Sequence, residues 1–165
     1  MPKRFELTAQ LDHDVRDVHA ALTDARYWQG RLEGSATATL QIDAPDGPGS
    51  LRVAISERTE PADLPPMVRA LVRGPMIMER IDRWGPLAGN GATGEIIGGT
   101  SGIPVSFRGR TRVLPHGSGG TVLDVRGDVS VEIPVVGRQI AALATRMVAQ
   151  IVERDRDALA AWLTR

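Results

Sequence analysis

The sequence predicts an α+β chain in which a curved antiparallel sheet of about six or seven strands wraps around one long C-terminal helix. Three observations predict it. Apolar and polar residues alternate with a period of two in most segments between residues 4 and 133. The one long run with helical spacing comes last, in "VVGRQIAALATRMVAQIVERDRDALAAWLTR", and spans about seven turns at a rise of 1.5 Å per residue. The turn sequences "DGPG" and "PHGSGG" and the Gly-rich "GPLAGNG" join successive strand-like runs. At 165 residues the chain reads as one domain, large enough to bury roughly 70% of its unfolded surface.

The elements follow in order. In "RFELTAQLD", Phe5, Leu7, Ala9 and Leu11 alternate with Glu6, Thr8, Gln10 and Asp12, as in a strand with one wet face. The period then changes, and Val15, Val18 and Leu22 take helical spacing behind Asp12 or Asp14 as N-cap. After a break near Asp24, a second short helix carries Tyr27, Trp28 and Leu32. "ATATLQIDA" and "SLRVAISER" return to period two. "PADLPPMVRALVRG" reads as a short helix with Pro66 near its start and Gly74 after its end. "PMIMERIDRWG" and "ATGEIIGG" read as strands of weak alternation.

The last hairpin is better determined. Ile103, Val105, Phe107, Thr111 and Val113 share one face, and Leu123, Val125, Val129, Val131 and Ile133 share the facing one. Matching apolar faces fixes the parity of the pairing, since a one-residue slip sets apolar against charged. A register centred on Ser118 sets Phe107 opposite Val129, Arg112 opposite Asp124 and Arg108 opposite Asp128. A slip of two residues satisfies the same parity.

Composition excludes several function classes. Twenty basic and twenty acidic residues give a formal net charge of zero, which does not suit a general electrostatic grip on nucleic acid. There is no cysteine, hence no disulfide, thiolate catalysis or Cys-ligated metal. His13, His19 and His116 show no metal-ligand spacing, so neither metal nor cofactor is expected. "GNGATG" lacks a phosphate-loop lysine, and no nucleophile elbow frames a serine. Without an apolar leader or an apolar span of about 18 residues, the chain is expected to be cytoplasmic, with no stable membrane insertion.

The segment "LDHDVRDVHAALTDARYWQGRL" resembles the opening of the START-like (SRPBCC) superfamily, and "VEIPVVGRQIAALATRMVAQIVERD" is similar to the entry into its last helix. With "PMIMERIDRWG", these segments most resemble an actinobacterial domain-of-unknown-function family inside that superfamily. The resemblance implies a helix-grip fold with a cavity between sheet and last helix. Relatives use that cavity for lipids, sterols, polyketides or plant hormones, and a minority use it as an active site. Many relatives carry a Glu shortly after the Gly at the helix start; Ala141 and Ala142 stand there instead, so no role of that carboxylate carries over.

The residues themselves suit a container. Val136, Ile140, Leu143, Ala144, Met147, Ile151, Ala158 and Trp162 fall within one broad helical face. The expected ligand-binding set is Trp28, Met78, Trp84, Phe107, Ile140, Leu143, Met147, Ile151 and Arg154. An apolar stripe is most simply core, and large aromatics are too. The cluster "ERDRD" interrupts the stripe: as solvated surface pairs, or with Arg154 or Asp155 holding a ligand's polar head at a cavity mouth. Three function classes follow. The first is a carrier or sensor of a hydrophobic small molecule, as monomer or homodimer. The second is a polyketide cyclase- or aromatase-type enzyme, for which Glu79, Glu95 and Arg154 are the acid/base candidates. The third is an interaction module of the chaperone-ATPase-activator type.

Overall fold

A computed structural model describes residues 2–165. The elements run β1 (Lys3–Leu11), α1 (Val15–Leu22), α2 (Ala25–Arg31), β2 (Ala38–Asp43), β3 (Leu51–Thr59), a 3-10 turn (Pro61–Asp63), α3 (Pro66–Arg69), β4 (Met76–Trp84), β5 (Ala92–Thr100), β6 (Val105–His116), β7 (Gly120–Val131) and α4 (Gly137–Leu163). All seven strands form one antiparallel sheet in the order β1-β7-β6-β5-β4-β3-β2. Strands β2 to β7 form a plain meander, while α1 and α2 carry the chain from one sheet edge to the other. Helix α4 packs on the inner face, chiefly over β1 and β7.

Local chemistry explains the boundaries. The Asp14 carboxylate accepts the Arg16 N–H at 2.7 Å and starts α1; Asp24 does the same for α2 through the Arg26 N–H at 2.9 Å. Val15, Val18 and Leu22 are buried as their spacing predicts. Helix α3 ends at Arg69, earlier than the sequence suggests, and its chain leaves through a tight turn from Leu71 N–H to the Val68 carbonyl. Between β7 and α4 the chain turns through Val135, which has φ +70° and is 97% exposed. A β-branched residue there is strained, because its Cβ crowds the backbone.

The register of the β6–β7 hairpin is the one centred on Ser118: Phe107 lies opposite Val129, Arg108 opposite Asp128 and Arg112 opposite Asp124. The Arg112 Nε to Asp124 Oδ2 distance is 2.7 Å. Alternate residues therefore face inward, and two glycine positions let the sheet and its contents come close. A Cβ on Gly127 would meet the Arg108 carbonyl oxygen at 2.0 Å. A Cβ on Gly98 would lie 2.2 Å from the Phe107 ring, so that ring lies over the bare backbone of β5.

The interior holds two apolar clusters. The larger joins α1, α2, the inner faces of β1, β7 and β6, and Val148, Val152 and Leu159 of α4; Trp28 and Trp84 lie in it. The smaller joins Leu64, Val68, Met76, Ile103 and Ile140 at the other end of the molecule. Fully burying side chains of this size contributes roughly 1.5–3 kcal/mol each.

Candidate functional site on the inner face of β4

Strand β4 explains why its alternation is weak in sequence. Antiparallel pairing with β3 and β5 turns Met76, Met78, Arg80, Asp82 and Trp84 to the same face, and the burial of Met76, Asp82 and Trp84 identifies it as the inner one. Two of those five inward positions are charged. Across β5, Arg80 faces Gly98; across β3 it faces Ile55.

Charges on two helices meet these residues. Arg80 clasps the Asp155 carboxylate of α4 with Nη1 to Oδ1 at 3.1 Å and Nη2 to Oδ2 at 2.6 Å, a two-pronged ion pair. Arg31, the last residue of α2, donates from Nη1 to the same Asp155 Oδ1 at 2.5 Å. Arg80 Nε also donates to Asp82 Oδ1 at 3.2 Å, and Arg80 Nη2 stands 2.7 Å from Asp82 Oδ2. Both guanidinium carbons lie 5.8 Å from the centre of the Trp28 ring, within cation–π range. Trp28 is itself held by its indole N–H, which donates to the Leu22 carbonyl at 2.9 Å. Tyr27 packs edge-on to Trp28 at 5.2 Å and to Trp162 at 5.7 Å.

The cluster is largely shut off from water. Side-chain exposure is 5% for Asp82, 13% for Asp155, 15% for Arg80 and 19% for Arg31. Burial opposes the charge on Arg80, but the nearby Asp155 and Asp82 more than offset this and raise its pKa. Burial pushes the Asp82 carboxyl above its usual range despite Arg80 beside it, and burial likewise raises the Tyr27 hydroxyl. Among the described residues, three buried side-chain oxygens make no well-aligned hydrogen bond, and two of them, Tyr27 Oη and Asp82 Oδ2, belong to this neighbourhood; Asp82 Oδ2 keeps its ion-pair contact with Arg80 Nη2 at 2.7 Å. The third is Thr111 Oγ1.

The interrupting charges of α4 thus have divided fates. Asp155 is no surface pair: it is the hub of a buried ionic cluster. Glu153, Arg154, Arg156 and Asp157 are exposed, and Arg156 pairs with Asp157 at 2.9 Å. The helix is also turned relative to the stripe that the sequence suggests. Its deepest residues are Ile140, Val148, Val152 and Leu159, while Met147 and Ile151 are half-buried on its flank and belong to neither apolar cluster.

The nine residues expected to bind ligand therefore separate. Trp28, Trp84 and half-buried Phe107 join the larger cluster, and Ile140, Leu143 and Met78 join the smaller. Met147 and Ile151 join neither, and Arg154 is exposed. Glu79 and Glu95 alternate with the inward residues of β4 and β5 and are exposed on the outer face. Sequence reasoning missed Arg31, Arg80 and Asp82. The available signal was the pair of charges at inward parity in "MERIDRW".

A cleft of about 680 Å³ lies on the opposite, outer face among β4 to β7. Its charges are mostly engaged with one another: Arg83 with Asp46 at 2.8 Å, and Arg112 and Arg126 with Asp124 at 2.7 and 3.2 Å. Arg110 stands opposite Glu95 in the register. The lining is that of a self-neutralised sheet surface, so the inner cluster is the stronger site. Among the described residues, no group of three or more His, Asp or Glu could hold a metal ion, and no helix is long and apolar enough to cross a membrane.

The family model described as "Protein of unknown function (DUF2505)" matches residues 6–163. The chain belongs to the DUF2505 family. Uncharacterised proteins of Mycobacterium bovis and Mycobacterium tuberculosis are 29% identical to this DUF2505 protein over 172 residues, covering 99% of this chain and 98% of theirs. Among solved structures, the Zhui aromatase/cyclase of Streptomyces sp. R1128 aligns with a TM-score of 0.58 at 14% identity, over 100% of this chain and 95% of that one. A START superfamily protein of Mycobacterium smegmatis aligns with a TM-score of 0.55 at 15% identity, over 98% and 97%. The DUF2505 chain has the START-like helix-grip fold.

Proposed function

We propose that this DUF2505 protein binds a small, mainly apolar molecule of lipid or polyketide size between α4 and the concave face of the sheet, and carries or senses it. One observation carries the reading. The ionic cluster interrupts the inner face where a closed domain would continue its core, and two apolar residues beside it, Phe107 and Ile151, are left half-buried. Phe107 lies over Gly98, the register neighbour of Arg80, and Ile151 lies one helical turn before Asp155. Pockets for such ligands are mostly apolar with a few placed polar groups, and this interior has both. The fold supports the reading by analogy, since one protein that shares it is named an aromatase/cyclase. Carriage is favoured over catalysis because Glu79 and Glu95 are on the wrong face.

Met147→Trp tests it. A bulky ring on the flank of α4 fills a ligand space at little cost, so stability stays level or rises while a fluorescent lipophilic probe loses affinity. In a fully packed interior the same change costs about 1–3 kcal/mol. Strong destabilisation, with no micromolar binding of lipophilic probes by the unsubstituted protein, would overturn the proposal.

A further inference from the structure

The ionic cluster has an unevenly used side. Asp155 gives both oxygens to Arg80 and one of them also to Arg31, whereas Arg31 spends only Nη1 on the protein. Among the described residues, its Nε and Nη2 donate to no protein acceptor. Arg31 is also the most exposed member of the cluster, at 19%. A guanidinium has five N–H donors and no acceptor, and its Nε–H and one Nη2–H point in parallel. The group that satisfies that edge is an acceptor with two oxygens at matching spacing, which is the geometry of a carboxylate.

The surroundings restrict the choice further. The Arg31 guanidinium lies within cation–π range of the Trp28 ring and its side chain is only 19% exposed, so a charge-assisted bond there is worth more than in bulk solvent. Asp155 and Asp82 already stand against the two guanidiniums. A head group with a single negative charge therefore disturbs the balance of the site less than the two charges of a phosphate monoester. Apolar surface for the rest of the molecule begins beside Arg80 and Asp155, at Phe107 and Ile151.

We propose that the ligand is a lipophilic monocarboxylate whose carboxylate docks on the Nε/Nη2 edge of Arg31, with its apolar body along Phe107, Ile151 and Met147. This rests on the small-molecule reading of the same interior and adds the head group. Arg31 then acts as a binding residue, and Arg80 and Asp155 as the positioning pair that holds it.

Matched acid and alcohol probes separate the two claims. Dodecanoate is compared with dodecan-1-ol, and pyrenebutyrate with pyrenebutanol, by titration calorimetry on the full chain below micelle-forming concentrations. The expected result is that each acid binds at least tenfold more tightly than its alcohol. Arg31→Gln should lower acid affinity to the level of the alcohol and leave alcohol affinity unchanged. Arg31→Lys keeps the charge beside Asp155 but lacks the two-pronged edge, and should lose most of the acid preference while folding normally. Equal binding of acid and alcohol by the unsubstituted protein overturns the head-group proposal and leaves the container reading standing. An acid preference that survives both substitutions overturns the assignment to Arg31. If none of the four probes binds, both readings fall.

Discussion

Removing the Asp155 carboxylate is the most informative perturbation of the fold. In Asp155→Ala, Arg80 loses two hydrogen bonds and Arg31 loses one, all between 2.5 and 3.1 Å. Breaking a buried ion pair from one side costs about 3–5 kcal/mol, because the partner charge stays buried without compensation. Two features place this case near the lower end: Asp82 remains beside Arg80, and Arg31 is exposed enough to turn toward water. The expected loss is therefore about 3 kcal/mol, or a fall in midpoint of about 10 °C for a domain of this size. Thermal and urea unfolding followed by circular dichroism measure it, at low salt and in 1 M NaCl. Because the pair is shielded by protein, salt should change the loss little. Replacing the whole cluster by apolar residues, with Arg31→Met, Arg80→Met, Asp82→Leu and Asp155→Leu together, should return stability to near the original or above it. A loss below about 1 kcal/mol that vanishes at high salt would show Asp155 to be an ordinary solvated charge and refute the reasoning.

Other consequences are independent of this cluster or probe one member of it. Arg112 is 44% exposed over nearly buried Asp124, so a double-mutant cycle through Arg112→Ala and Asp124→Ala should give a salt-sensitive coupling of at most about 1 kcal/mol. Coupling between Arg110 and Asp124 in its place would contradict the register. Burial raises the Asp82 carboxyl above its unfolded value of 3.8, so the folded state holds the proton more tightly. Its ionisation costs stability as pH rises from below 3.8 through the folded value. Asp82→Asn removes that cost, so the variant should gain on the unsubstituted protein between pH 3.5 and pH 7; a relative loss over that range would mean that Arg80 holds the carboxyl down. Val135→Gly relieves a strained, solvent-exposed φ of +70° and should raise stability by about 0.5 kcal/mol or more, after the extra backbone entropy of glycine is offset. An equal or lower melting midpoint would show that the turn carries no strain.

Much of the architecture was legible in the chain because local physics repeats there. The parity of the hairpin pairing followed from facing apolar positions in "IPVSFRGRTRVL" and "TVLDVRGDVSVEI", since a single-residue slip inverts every side chain, and the tertiary structure chose the register centred on Ser118 over a two-residue slip. The first two helices followed from the spacing of Val15, Val18 and Leu22 and from the breaks at Asp14 and Asp24. Along β4, periodicity failed because Arg80 and Asp82 occupy inward positions, where an apolar residue would have made the alternation plain. Their partners are far away in sequence, 75 residues from Arg80 to Asp155 and 124 from Arg31 to Asp155.

By itself, then, the sequence determined the α+β class, the order of elements, the parity of the hairpin pairing and the presence of one long amphipathic C-terminal helix. Each rests on periodicity or turn chemistry within a short stretch. Only the tertiary structure decided how α4 is rotated. Its apolar stripe is broad enough to accept several orientations, and the choice between Met147/Ile151 and Val148/Val152 as the deepest residues is made by contact with β1 and β7. It alone decided the environment of Asp155. A carboxylate on a helix is a solvated charge or a buried hub according to whether cations on other elements reach it, and that depends on three dimensions at once.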